Sequence, residues 1–106
     1  MPKYLIKASY TAEGAKGLLK EGGSKRRDVA AQALKSAGGK LEAFYFAFGD
    51  TDAFVLVDAP DHATVSAASL AISASGAVRT TTVVLLTPEE IDQAAKKSVT
   101  YRAPGH

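Results

Sequence analysis

Two neighbouring segments of the chain are apolar on both of their alternating faces, and they constrain the fold more than any other feature. Residues 41–48 and 53–58 are separated by the short sequence Gly49-Asp50-Thr51-Asp52. Gly and Asp favour chain reversals, so the two segments predict a β-hairpin. A strand with one face in water alternates apolar and polar residues, and neither strand of this hairpin does so. We therefore expect both faces of the hairpin to be covered.

Two more strands and three helical regions are predicted around the hairpin. Residues 3–10 alternate with the period of a strand, and residues 78–86 are rich in β-branched residues, which favour a fourth strand. The helical regions begin at the N-cap candidates Thr11, Asp61 and Thr87. The element order is β-α-β-β-α-β with an extra C-terminal helix. This order predicts an α+β fold of the ferredoxin-like type, an antiparallel four-stranded sheet with helices on one face.

Glycines and apolar spacing predict where the helices break and end. The first helical region is interrupted at residues 22–24, where Ser24 offers a new N-cap, and it ends at Gly38-Gly39. The C-terminal helix is expected to turn Ile91, Ala94 and Ala95 inward. Residues 1–97 are therefore expected to form a single domain, and residues 98–106 a C-terminal tail.

Helices on one face of the sheet leave the other face of the apolar hairpin exposed. Exposed apolar patches beyond a few hundred Å² normally mark an interface. We therefore expect a homo-oligomer, dimer or higher, in which two sheets pack face to face as a dimeric α+β barrel with an internal cavity. Tyr101 and Arg102 in the tail are typical interface anchors, so the tail is expected either to hold a neighbouring subunit or to be a disordered terminus.

The sequence offers few side chains for metal, thiol or cofactor chemistry. It contains no Cys and two His, His62 and His106, whereas a metal site needs about three or four clustered ligands. We therefore expect no metal and no cofactor. The apolar runs fall far short of the roughly 20 residues that cross a bilayer, and residues 1–7 lack the apolar region of a secretory signal. The expected location is cytoplasmic, with no membrane partner.

Specific residues argue against phosphate-loop and nucleic-acid binding. Residues 1–40 carry nine basic and three acidic side chains, which a solvated helix face explains as well as a phosphate-binding face does. Residues 17–24 nearly match the sequence pattern of a phosphate-binding loop, but Gly23 occupies the position of the lysine in that pattern. An RNA-recognition domain shares the element order, but Asp50 and Asp52 stand where its third strand needs basic and aromatic residues. We therefore expect no nucleic-acid partner.

The hairpin and the segments around it resemble a known family. The resemblance lies in residues 39–52, in residues 55–61 after them, and in Val78-Arg79-Thr80-Thr81-Thr82 and Tyr10-Thr11-Ala12-Glu13-Gly14. Together these residues resemble the GYD domain family of small bacterial proteins over most of residues 3–87. Gly49 and Asp52 fall on the positions of the family's Gly-x-Tyr-Asp-like turn, and Thr51 stands in place of its tyrosine. The resemblance implies a dimeric α+β barrel with a small-molecule pocket, and it brings no catalytic residues with it.

A few polar side chains are candidates for contact with a ligand. Their alternative roles are structural: Tyr45 as a core aromatic, Asp52 as a turn residue and His62 as a surface residue. Arg79 would either pair with Asp52 or Asp58 or bind an anionic group of a ligand. The candidates are Tyr45, Asp52, Arg79 and His62, with Tyr4 and Tyr10 of the first strand as further tyrosines.

Two classes of function remain open from the sequence. The first is binding of a small, largely apolar ligand in the barrel, with or without a cofactor-independent reaction on that ligand. The second is a non-catalytic assembly or ligand-sensing module. An enclosed pocket with convergent polar groups would favour the first class, and a filled interior would favour the second.

Overall fold

The computed structural model describes residues 1–106 and contains one four-stranded sheet and four helices. The strands are β1 (Lys3–Tyr10), β2 (Lys40–Phe46), β3 (Ala53–Asp58) and β4 (Val78–Leu85). The helices are α1 (Ala12–Glu21), α2 (Gly23–Ala37), α3 (His62–Ala74) and α4 (Pro88–Ala95). All strand pairs are antiparallel, in the order β2-β3-β1-β4. The predicted α+β class with an antiparallel four-stranded sheet is therefore confirmed.

Local capping chemistry sets the helix starts. The side chain of Thr11 accepts a hydrogen bond from the backbone of Gly14, and Asp61 and Thr87 cap α3 and α4 in the same way, as predicted. The predicted N-cap at Ser24 is wrong, because α2 already begins at Gly23. Gly22 precedes it with a φ of 87°, a conformation that glycine adopts without a steric penalty.

The core lies between one face of the sheet and the helices α2 and α3. Tyr4 and Ile6 of the central strand β1 lie opposite Val57 and Val55 of β3. Leu34 of α2 and two residues of α3 close over these side chains. Burial of this apolar surface is the main stabilising term of the fold. The buried cluster consists of Tyr4, Ile6, Leu34, Val55, Val57, Ala59, Val65 and Ala68.

A β-bulge changes which residues of β2 face the core. The register shifts between Leu41, which lies opposite Val57, and Ala43, which lies opposite Leu56. Leu41 therefore packs against the core together with Phe44, whereas strict alternation placed it on the other face. The predicted strand also ends early, at Phe46, so that Phe48 lies fully exposed in the turn.

The second face of the sheet is left uncovered by the helices that pack on the first. Its apolar residues, which we call the open face, are Leu5, Ala43, Tyr45, Phe54, Leu56, Val83 and Leu85. Tyr45 is 71% exposed, and Phe54 and Val83 are also exposed. At one end, Lys3 bonds to Glu42 at 2.6 Å and to Asp58 at 2.9 Å, and the hydrogen bond with Glu42 is the main cause that raises the pKa of Lys3.

The C-terminal helix projects away from the rest of the molecule. It buries none of its residues, and Ile91 is exposed, so its predicted inward side has nothing to pack against within the chain. Residues 98–106 form neither helix nor strand. The radius of gyration is 16.9 Å, against about 13 Å for a compact domain of this length. None of the helices is long and apolar enough to cross a lipid bilayer.

Gly14 is required where α1 approaches the loop before β4. A Cβ added at Gly14 would lie 2.0 Å from the carbonyl oxygen of Ala77, which is backbone and cannot swing away. We therefore expect Gly14→Ala to lower the free energy of unfolding by about 1–3 kcal/mol, measured by urea denaturation.

Gly17 of the same helix provides the matched control. Nothing lies within 4 Å of a Cβ added there. Gly17→Ala should therefore raise the free energy of unfolding by up to about 1 kcal/mol, because alanine favours helix more than glycine does. Equal effects of the two substitutions would contradict the close approach of α1 to Ala77.

Candidate functional site

A small, mostly apolar cavity lies between the sheet and the helices α2 and α3. Its volume is about 30 Å³, and nine of its 11 lining residues are hydrophobic. All four strands contribute to its wall, with Ala30 and Leu34 from α2 and Ile72 from α3 on the helical side. The lining residues are Ile6, Ala8, Tyr10, Arg26, Ala30, Leu34, Phe44, Val55, Ile72, Val78 and Thr80.

Small side chains on facing elements create this cavity. Ala8 of β1 and Ala30 of α2 are both 7% exposed, and both line the cavity. Well-packed interiors contain few voids larger than a water molecule, and a longer side chain at either position would fill this one. The cavity therefore follows directly from alanine at two buried positions.

Arg26 is the single charged residue in the cavity wall. It lies in the first turn of α2, is half-buried, and takes part in none of the ion pairs of the structure. Tyr10 lies beside it and stacks on Phe46 with ring centroids 6.5 Å apart. Burial raises the pKa of the Tyr10 phenol, and the neighbouring Arg26 guanidinium partly opposes this shift. One end of an apolar cavity thus carries a cation and a phenol.

A groove on the surface adjoins the same end of the cavity. It has a volume of about 260 Å³, and Glu13 and Glu21 of α1 lie in its wall. Tyr10, Arg26 and Val78 border both the groove and the cavity. These three side chains therefore lie where the cavity and the groove adjoin.

Asp52 holds the turn of the hairpin against β1. Its carboxylate accepts a hydrogen bond from the backbone N–H of Tyr10 at 2.8 Å, and its own N–H donates to the carbonyl of Ala8 at 2.8 Å. Its carbonyl also accepts from Ala47, which closes the turn. Asp52 thus fixes the backbone of two cavity residues, Ala8 and Tyr10, without lining the cavity itself.

Tyr45 and Arg79 lie on the other side of the sheet. Tyr45 is paired with Phe54 on the open face. Arg79 borders a polar recess of about 310 Å³ together with Lys7 and Asp50. It forms no ion pair with Asp52 or Asp58, because Asp58 is bonded to Lys3 and Asp52 to the Tyr10 backbone. The structural pairing considered for Arg79 is therefore wrong.

His62 begins α3 and contacts the core through Tyr4. Its Nδ1 lies 2.6 Å from the hydroxyl of Tyr4, and the two rings meet edge to face with centroids 5.5 Å apart. The adjacent Asp61 caps the helix, and hydrogen bonds from Thr64 lower the pKa of this exposed carboxyl. His62 thus satisfies the hydroxyl of a tyrosine that is only 1% exposed.

The structure does not bring the four predicted ligand residues together. Tyr45 and Arg79 share the open side of the sheet, Asp52 supports the cavity from the turn, and His62 lies at the start of α3. No three His, Asp or Glu side chains converge as metal ligands would.

Arg26 was not singled out from the sequence, although its spacing carries a signal. It precedes the buried Ala30 by four residues and the buried Leu34 by eight, so the three lie on one face of α2. An arginine on the buried face of a helix is unusual enough to indicate a specific environment.

The bonds of Asp52 predict a large effect on stability. Asp52→Ala removes the carboxylate that accepts from Tyr10, and a hydrogen bond to a charged group contributes about 1.5–3 kcal/mol. We expect a loss of that size in the free energy of unfolding, measured by urea denaturation. Asp50→Ala is the control, since Asp50 acts as an acceptor through its backbone carbonyl only. Similar losses for both variants would show that the contact between Asp52 and Tyr10 contributes little.

Comparison with known proteins identifies the family. No curated protein matches the chain. A family model described as GYD domain matches residues 4–95, which include nearly all of β1, the three other strands and all four helices. The match leaves out only the first three residues and the C-terminal segment after α4. The chain therefore belongs to the GYD domain family.

Proposed function

We propose that this protein binds a small, largely apolar ligand in the cavity between its sheet and its helices, as a subunit of a homodimer. The observation that carries the proposal is the cavity itself, which is apolar except for Arg26, Tyr10 and Thr80 at its wall. Ligand pockets in proteins are typically of this kind, mostly hydrophobic with a few polar groups that orient the ligand. A protein that used its core only for stability would gain by filling this space.

The ligand occupies the groove as well as the cavity. The cavity of about 30 Å³ has room for a group of the size of a water molecule or two. Pockets for small molecules start at about 300 Å³. The adjoining groove of about 260 Å³ brings the joined space close to that size. Binding therefore moves the side chains that separate the two spaces.

The second part of the proposal is a ferredoxin-like dimeric barrel formed through the open face. Leu5, Phe54, Leu56 and Val83 form an apolar patch that no part of the chain covers. A second copy packed face to face on this patch would bury it, and two-fold symmetry would bring the same patch of both subunits together. Tyr45 and Arg79 would then lie between the two sheets.

A non-catalytic assembly module is the second candidate function. It is favoured by the C-terminal segment, where Leu86, Ile91, Val99 and Tyr101 are all more than half exposed. A helix as short as α4 is marginal in water when it buries nothing. Contact with another subunit would stabilise it. The two candidates differ in whether the cavity takes up a ligand.

Filling the cavity should abolish ligand uptake. Ile72→Phe places a larger side chain into the cavity, whereas Leu70→Phe enlarges a residue of the same helix that is 71% exposed. In an NMR titration with benzyl alcohol, we expect amide shifts around Ala30 and Ile72 in the natural protein and in Leu70→Phe. Ile72→Phe should bind at least about tenfold more weakly, which corresponds to about 1.4 kcal/mol.

Thermal unfolding of each variant controls for overpacking, which costs about 1–3 kcal/mol in a full core. If Ile72→Phe does not fold, Ala30→Val reduces the same cavity by a smaller amount. Unchanged binding of benzyl alcohol to a folded cavity-filling variant would show that the ligand lies elsewhere. Absence of any shift in the natural protein would favour the assembly module.

A charge on the open face should dissociate the homodimer. Sedimentation equilibrium of the natural protein is expected to give twice the chain mass of 11.0 kDa, and Phe54→Asp is expected to give the mass of one chain. The reason is that an unpaired carboxylate buried between two sheets is strongly unfavourable. Phe48→Asp makes the same change at a fully exposed residue of the turn and should leave the mass unchanged. A monomeric natural protein at micromolar concentration would overturn the dimer.

A further inference from the structure

We propose that the ligand is a small apolar carboxylate, whose anionic group is held by Arg26 and Tyr10 at the mouth of the cavity. This inference rests on the binding function proposed above and specifies the chemical class of the ligand. Within the joined cavity and groove, the apolar end of the ligand enters the cavity, and its carboxylate lies where the cavity meets the groove.

The first argument is that Arg26 has no carboxylate partner within the chain, although it lies in a mostly apolar wall. It is half-buried beside nine hydrophobic residues, and no carboxylate lies within ion-pair distance of it. Charged groups that are withdrawn from water are normally paired. The charge of Asp52 contributes to the raised pKa of Tyr10, but its carboxylate already accepts a hydrogen bond from the backbone N–H of Tyr10. An anionic ligand would supply the missing partner.

The second argument is the unbalanced charge at the start of α2. The first turn of this helix contains no acidic residue, and Lys25, Arg26 and Arg27 follow one another there. The backbone N–H groups at a helix start also carry partial positive charge, so these cations lie in an unfavourable field. An anion beside Arg26 would relieve both sources of repulsion.

The chemistry of the two side chains favours a carboxylate among possible anions. The guanidinium of Arg26 presents paired N–H donors that match the two oxygens of a carboxylate. The phenol of Tyr10 is protonated at neutral pH, since the ordinary pKa of a tyrosine is about 10 and burial raises it further. It is therefore a donor as well. Three donors on one side of an apolar space suit one planar anionic group.

The acidic residues of the groove set the orientation of the ligand. Glu13 and Glu21 line the groove on the outer side of Arg26. A second anionic group that extended into the groove would meet these carboxylates and be repelled. The ligand therefore carries one anionic group at Arg26, with its apolar end directed into the cavity.

Tyr10 and Arg26 also act as the gate to the cavity in this arrangement. With Val78, they are the residues that border both spaces. Entry of the apolar body therefore requires these side chains to move apart, and the carboxylate then stays beside Arg26 at the cavity mouth.

Three compounds with the same ring test the proposal: benzoate, benzyl alcohol and benzylamine. In NMR titrations of the full chain, we expect benzoate to bind about tenfold more tightly than benzyl alcohol, and benzylamine to bind most weakly. Arg26→Met should remove the advantage of benzoate over benzyl alcohol, so that the two compounds bind with similar affinity. Arg27→Met, at an exposed arginine one residue further along α2 that contacts Asp28, is the matched control and should keep the advantage.

The outcomes separate this inference from the proposed function. If benzoate and benzyl alcohol bind equally, or if Arg26→Met and Arg27→Met behave alike, the carboxylate site is wrong, although the cavity still binds apolar compounds. If none of the three compounds binds, both proposals fail. Should Arg26→Met not fold, Arg26→Lys keeps the charge without the paired donors, and it is expected to retain only part of the advantage.

Discussion

The structure depends on the alternation of side chains along β1, the central strand of the sheet. Tyr4, Ile6 and Ala8 point to the side that α2 and α3 cover, and Leu5 and Lys7 point to the other side. Because β1 pairs with both β3 and β4, its alternation fixes which residues of its neighbours are buried. A shift of one residue in this register would expose the core and bury a lysine. The cavity and the open face both follow from this one constraint.

The two surfaces that carry the proposals lie on opposite faces of the same sheet. Ala8 and Ala30 both line the cavity and leave room for it, whereas Phe54 and Tyr45 remain exposed because no element of the chain lies over them. A second subunit on the open face would leave the groove at α1 accessible. Ligand binding and assembly can therefore coexist in one protein, since neither needs the surface that the other uses.

Features that depend on neighbouring residues were predictable from the sequence, and features that depend on distant contacts were not. The N-caps at Thr11, Asp61 and Thr87 form local hydrogen bonds, and the residue types Thr and Asp predict such caps. The bulge at Leu41 depends on pairing with β3, so strict alternation placed Leu41 on the wrong face. Likewise, the apolar side of α4 indicates that this helix packs against a partner surface, but it does not indicate which one. The expected packing of α4 within the chain is absent, since the helix buries none of its residues. The cavity was not predicted, because it depends on Ala8 of β1 and Ala30 of α2, which are far apart in the sequence.

Asp52 links the two faces of the sheet in a way that the sequence alone did not show. The carboxylate of Asp52 accepts a hydrogen bond from the backbone of Tyr10, which borders the cavity. In the same turn, the carbonyl of Asp50 accepts a hydrogen bond from Ser9, which borders the recess on the open side together with Lys7. One turn of the hairpin is therefore bonded both to the backbone beside the cavity mouth and to a residue on the open side of the sheet. This gives a physical reason for an aspartate, rather than any turn-forming residue, at this place in the hairpin.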